Sequence, residues 1–164
     1  MSDMETVEVA LLIAPHRVQL IERENGLRDG VLENAKNAKV VAEQAGNDVS
    51  LGATAAETIL TGNPNVLVIA AVNDAGALGA LEIVNQSSSL DKTLFYIGGL
   101  DATDEALEKM ELPGSVYRAT VDINPVQFGR DCMDAAKKLA EVGQNAFPET
   151  LYMTQNPLRQ SSWK

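Results

Sequence analysis

Seven apolar residues in a row, Val66–Val72, run directly into Asn73-Asp74-Ala75-Gly76-Ala77-Leu78-Gly79-Ala80, which opens a helical pattern through Glu82 and Val84. A short unbroken apolar run reads as a buried strand, and the pattern after it as a helix. The junction therefore carries an amide and a carboxylate at a strand end. In a parallel α/β sheet such junctions lie on the ligand side. The same arrangement recurs at Asp101 and at Asn124-Pro125. Three polar strand-to-helix turns on one edge imply a binding cleft, and none of them sets a nucleophile beside a base.

Apolar stretches rich in β-branched residues alternate with helical patterns along the chain. Strands are expected at Val7–Ala14, Lys39–Ala45, Val66–Val72, Thr93–Gly99, Ser115–Val121 and Thr150–Thr154. Helices are expected at Val18–Ala35, Leu51–Thr61, Asp74–Asn85, Thr103–Met110 and Pro125–Val142. A repeat of about 25 to 30 residues suits βαβ crossovers. The expected fold is α/β, a mostly parallel twisted sheet of about five to six strands with helices on both faces. Gly62-Asn63-Pro64-Asn65 reads as a turn, and Asn124-Pro125 as a helix cap followed by proline at the first helical position. No stretch has the composition of an interdomain linker. Residues 1–164 are expected to form a single lobe, with residues 157–164, including Trp163, as a loosely held tail.

With 13 basic and 23 acidic side chains the net charge is −10. That balance argues against a nucleic-acid or anionic-membrane partner, which would call for a basic surface. No apolar run approaches the roughly 20 residues of a membrane-spanning helix. Met1-Ser2-Asp3-Met4-Glu5 lacks the basic and apolar segments of a signal peptide. Cys132 stands alone in a helical run and is expected to be a buried thiol. Dinucleotide, phosphate-loop and hydrolase-elbow motifs are absent, and one histidine with one cysteine makes none of the usual zinc sites. The chain is read as a non-enzyme without cofactor or metal.

Four segments occur in one order: Asn63-Pro64-Asn65 with the apolar strand; Asn73-Asp74-x-x-Ala77-x-Gly79-Ala80; Gly98-Gly99-Leu100-Asp101-Ala102-Thr103; and Ala119-Thr120-Val121-x-x-Asn124-Pro125-x-x-x-Gly129. Their order and spacing resemble the type I periplasmic sugar-binding proteins of ABC transporters, the ribose-binding-like group. The sugar-sensing halves of LacI-type repressors share that fold. The resemblance covers nearly the whole chain. It implies two α/β lobes that close on a ligand like a clamp, and this chain is similar to the second lobe only. Val7–Ala14 and the helix with Glu22-Arg23-x-x-Gly26-Leu27 match that lobe's start. An isolated lobe is expected.

In such proteins Asn, Asp and Arg side chains hold sugar hydroxyls and aromatics cover the ring. The resemblance puts Asn73 and Asp101 at ligand-binding positions, and each is equally suited to cap a helix. Asp74 is expected to be structural, as is Arg23. Ile21 stands where a ligand arginine is common; His16 and Arg17, at the end of the first strand, are candidates to replace it. Asn47 and Leu100 stand at aromatic positions; Asn47 is a candidate contact, or with Asp48 a cap for the helix that follows. Ile123 stands at a ligand-glutamine position, with Asp122 beside it as a candidate. The implied ligand is a sugar, a polyol or another small solute. The implied partners are an ABC permease and an N-terminal lobe, in a periplasmic or lipid-tethered extracellular setting. The alternative is the effector lobe of a LacI-type regulator, which would be cytoplasmic. A surface shaped to face another lobe is also expected to favour self-association.

Overall fold

The computed structural model describes residues 5–143 and 155–161. Among them, β1 (Val7–Ile13), β2 (Ala38–Ala45), β3 (Val66–Ala71), β4 (Tyr96–Gly98), β5 (Tyr117–Asp122) and β6 (Asn156–Arg159) form one sheet in the order β2-β1-β3-β4-β5-β6. The first five are parallel, and β6 runs antiparallel to β5. The helices are α1 (Ile21–Asn34), α2 (Val49–Gly62), α3 (Asp74–Gln86), α4 (Asp104–Glu111) and α5 (Pro125–Val142).

The chain steps one way from β1 to β2, then the other way through β3, β4 and β5. Right-handed crossovers then put α1 on one face and α2, α3 and α4 on the other. The buried residues follow this division. Leu12, Ile69, Ile97 and Tyr117 pack against Ile59, Leu81, Val84 and Met110 in the larger core. Val7, Val9 and Leu11 pack against Leu27 and Val31 of α1. The expected α/β architecture is the observed one.

Boundaries differ where local bonding competes. Val18–Leu20 forms a separate 3-10 turn, so α1 begins at Ile21. β4 begins at Tyr96 rather than Thr93, because the Asp91 carboxylate accepts from both the amide (2.9 Å) and the hydroxyl (2.6 Å) of Thr93 and holds that stretch in a turn. The strand expected at Thr150–Thr154 lies outside the described residues.

Two expectations are corrected. The tail is pinned as far as Ser161. β6 pairs with β5, from Ala119 opposite Arg159 to Asp122 opposite Asn156. Gln160 is 2% exposed; its carbonyl oxygen accepts from Arg118 Nη1 at 2.6 Å and its amide donates to the Met110 carbonyl at 2.6 Å. The Ser161 amide donates to Glu111 Oε1 at 3.0 Å. The cause is a buried amide side chain four residues inside a stretch whose composition reads as polar and loose. Cys132 is exposed, not buried, because no residue of α5 is buried.

Candidate functional site

Five parallel strands end on one edge, and the loops leaving that edge form a polar rim. α3 sets its geometry. At Gly76 a side chain would strike the Gly46 carbonyl oxygen, and at Gly79 the Val49 carbonyl oxygen. Only glycine lets the start of α3 lie directly against the start of α2. The Asn-Asp-x-Gly-x-x-Gly spacing is therefore first a packing device.

Asp74 is fully buried behind the rim. Its Oδ1 accepts from Tyr117 Oη at 2.7 Å and Thr120 Oγ1 at 2.6 Å. Its Oδ2 accepts from the Thr103 amide at 2.7 Å and Thr103 Oγ1 at 3.2 Å. Four donors on one carboxylate replace the water it has lost. They tie α3 to β5 and to the start of α4, which is the structural role expected for Asp74. Burial, followed by the charge of the adjacent Asp74, pushes the Tyr117 phenol well above its ordinary range.

Asn73 caps α3: its Oδ1 accepts from the Gly76 amide at 3.0 Å. Its Nδ2 also donates to the Asn47 carbonyl at 2.8 Å, fastening the β2–α2 loop to the β3–α3 loop. One N–H and one lone pair of the amide remain beyond these bonds. Asn47 is thus held by its backbone, while the neighbouring Asp48 caps α2 through the Leu51 amide at 2.8 Å.

Asp101 is not a helix cap; Thr103 is, with Oγ1 accepting from the Ala106 amide at 3.3 Å. Asp101 instead accepts from Arg23 Nη1 at 3.0 Å, and the same nitrogen lies 3.4 Å from the Val72 carbonyl. Burial raises the Asp101 pKa above the ordinary carboxylate value, with Arg23 opposing. Asp101 and Ala102 have φ of 125° and 53°, a left-handed pair of non-glycine residues. The turn is held by the Asp101 amide on the Val121 carbonyl (2.9 Å) and the Ala102 amide on Thr120 Oγ1 (3.2 Å).

His16 and Arg17 lie exposed where β1 ends, in a turn closed by the Arg17 amide on the Ala14 carbonyl at 2.9 Å. Asp122 ends β5; its Oδ1 accepts from the Asn124 amide at 2.6 Å, and Asn124, itself left-handed, caps α5 through the Gln127 amide at 3.2 Å. The structure thus brings Asn47, Asn73, Asp101 and Asp122 to one rim with His16 and Arg17. Sequence reasoning missed the shell of Thr103, Tyr117 and Thr120 and the pairing of Arg23 with Asp101. The only signs of the shell were Thr103 and Thr120, each inside a motif segment; a contact between residues 23 and 101 leaves no local pattern.

Among the described residues no group of His, Cys, Asp and Glu side chains could hold a metal ion, and no helix is long and apolar enough to cross a membrane.

Residues 8–145 match the family described as the periplasmic binding protein domain. The chain belongs to that family. It is 32% identical over 114 residues to the ribose import binding protein RbsB of Bacillus subtilis, covering 70% of this chain and 35% of that protein. A Mycobacterium smegmatis structure in complex with β-D-fucofuranose is 26% identical with a TM-score of 0.79, covering 98% of this chain and 51% of that one. An ABC transporter solute-binding protein of Actinobacillus succinogenes, with bound D-allose, shares the fold at 24% identity and a TM-score of 0.78, covering 93% and 53%. The chain therefore spans about a third of the length of the curated relative and about half that of the solved ones. The curated relative and the Actinobacillus protein are named as binding proteins and not as enzymes. The relation to LacI-type regulators is one of superfamily.

Proposed function

We propose that this chain is one lobe of a solute clamp, corresponding to the second lobe of its longer relatives, and that it grips a small carbohydrate or similar polar solute against the rim. The observation that carries this reading is the gathering of amide, carboxylate and basic side chains from five strand ends on one edge. Amides donate and accept together, and carboxylates take two hydroxyls, which suits vicinal diols. Asn73 and Asp101 would be the fixed contacts, and His16, Arg17, Asn47 and Asp122 the surrounding ones. The opposing wall would come from another α/β lobe, with closure about the rim. In this reading the clamp serves an ABC permease from the periplasm or the outer face of the membrane, as the relative named for ribose import suggests.

One wall alone binds weakly. A micromolar solute corresponds to about −8 kcal/mol, and half of that, about −4, is near millimolar. Titration calorimetry of this chain against D-ribose, D-allose and D-fucose is expected to give affinities near millimolar. Sub-micromolar binding by a single copy would end the half-clamp reading. In a two-lobe context Asn73→Asp keeps the cap oxygen and removes the amide donor, so affinity should fall by on the order of 1–3 kcal/mol. An unchanged affinity would take Asn73 out of the site.

A further inference from the structure

Two carboxylates are buried among the described residues, Asp74 and Glu24. The use of Asp74 is plain from its four donors. Glu24, 8% exposed, stands where the fold calls for an apolar side chain. It shares one stripe of α1 with Leu27 and Val31, at i, i+3 and i+7, and those two pack against Val7, Val9 and Leu11 of β1. Burying a carboxylate in that stripe costs free energy that a leucine would not, so its presence has to be answered by what it bonds.

It bonds the Ala14 amide, which donates to Glu24 Oε1 at 2.7 Å. Ala14 is the first residue past β1 and is 1% exposed. The ladders on both sides stop just before it: the Gly46 amide donates to the Ile13 carbonyl, and the Val72 amide to the Leu12 carbonyl, each at 2.9 Å. Without Glu24 the Ala14 amide would be shut away from both strand and water. From Ala14 the chain turns outward. The Ala14 carbonyl accepts from the Arg17 amide and the Arg17 carbonyl from the Leu20 amide at 2.8 Å, and Pro15 to Gln19 are all exposed. The turn that carries His16 and Arg17 thus closes on itself and is fastened at Ala14 by a side chain of the helix it leads into.

We propose that Glu24 is a positioning residue for the solute: its carboxylate fixes the β1–α1 turn, the turn holds His16 and Arg17 at the rim, and Glu24 thereby sets affinity without touching what is bound. The part played by His16 and Arg17 rests on the clamp reading; the fastening of the turn does not. The arrangement repeats that of Asp74, whose Oδ2 accepts from the Thr103 amide at the start of α4. In both, a buried carboxylate takes a backbone amide of a strand-to-helix turn, where the ladder offers no partner. An apolar side chain at position 24 would serve the α1 packing and leave the turn loose, which marks the carboxylate as serving the rim and not the core. Order built into the turn on folding is order that need not be imposed on binding.

Substitutions at Glu24 in the 164-residue chain test this. Glu24→Gln keeps an acceptor oxygen at the same reach. Glu24→Leu completes the apolar stripe and offers no acceptor, and Glu24→Met does the same with a more adaptable side chain. Amide hydrogen exchange read by NMR should find Ala14 protected in the wild type and in Glu24→Gln, and about tenfold less protected in Glu24→Leu and Glu24→Met, with the melting temperature moving by no more than about 3 °C. Titration of the same samples with D-ribose, D-allose and D-fucose should show affinity about three- to tenfold weaker in the two apolar variants and unchanged in Glu24→Gln. Arg17→Ala should weaken binding by itself and add little to Glu24→Leu, since a loosened turn no longer presents Arg17. Unchanged protection of Ala14 in both apolar variants, a Glu24→Gln that behaves like Glu24→Leu, or additive losses from positions 17 and 24 overturns the proposal. The exchange data stand apart from the sugar. A wild type that binds none of the three sugars overturns the clamp reading, while an Ala14 amide released by Glu24→Leu and held by Glu24→Gln leaves the fastened turn standing.

Discussion

Replacing Asp74 by alanine and by asparagine should have very different costs. Asp74→Ala removes the acceptor for four donors, of which the hydroxyls of Tyr117 and Thr120 are buried. Each buried donor left without a partner costs about 1–3 kcal/mol. Against this stands the release of a buried carboxylate from its desolvation, which can make removal of buried charge neutral where its partners leave with it. Here the partners stay, so the loss dominates and the expected cost is about 4 kcal/mol. Asp74→Asn keeps the volume. Its one oxygen must stay on the Thr103 amide, which can only donate, while its NH₂ faces two hydroxyls that can turn and accept. The loss is then mainly charge assistance, about 1–2 kcal/mol. Urea unfolding followed by circular dichroism measures both, with an unchanged m-value as the check that the end states are the same. For a chain this size, about 4 kcal/mol is a fall in Tm of roughly 8–16 °C. If alanine costs under about 1 kcal/mol, or no more than asparagine, the carboxylate is not what holds the rim together.

Three further outcomes are expected. The Tyr117 phenol has its pKa raised in the folded state, so above the ordinary value of about 10 the unfolded chain loses a proton that the folded chain keeps. Its contribution to stability is thus complete below that value and is lost as pH rises; in an alkaline titration read by phenolate absorbance, one of the three tyrosines should ionise only with unfolding, and Tyr117→Phe should remove that late step. Gly79→Ala should cost about 3 kcal/mol, because the new methyl meets the Val49 carbonyl and the Ala53 amide, whereas Gly26→Ala, in open space, should be neutral or slightly stabilising by thermal melt. Gln160→Ala should destabilise by about 1–3 kcal/mol in the same melt, since it strips partners from Arg118 and from the Met110 carbonyl.

The fold was legible because its signals are local. Val66–Val72 is apolar at every position since β3 lies inside the sheet between β1 and β4, with Val66, Ile69 and Ala71 buried and the rest partly so, and Asn124-Pro125 marks the start of α5 to the residue. The rim was legible for the same reason: each strand end carries its own polar turn. What stayed hidden is non-local or turns on what covers a surface. Asp101 next to Thr103 offers two caps, and only the reach of Arg23 from α1 decides between them. Gln160 reads as tail, yet it bonds across to residues 110 and 118. Cys132 sits in a helix whose amphipathic pattern reads as core, yet no residue of that helix is buried, and a sequence pattern does not say whether its apolar face is covered.

The turn at Asp101-Ala102 links the scaffold to the rim's purpose. A connection with no other duty would carry glycine at φ of 125°, where an L side chain is strained by about 1–3 kcal/mol. Gly98 and Gly99 stand just before it, so glycine was available to this loop. The strain is held by Thr120, by the Val121 carbonyl and by Arg23, and Thr120 is in turn held by Asp74. The result is a half-exposed carboxylate fixed across the end of β3 by Arg23, which also reaches the Val72 carbonyl. Such an arrangement suits a group that must meet a ligand without moving first, because the cost of ordering it is met on folding and not on binding. Asn73 fits the same logic: two hydrogen bonds fix the amide, and under the proposed clamp its remaining donor and acceptor would meet the solute.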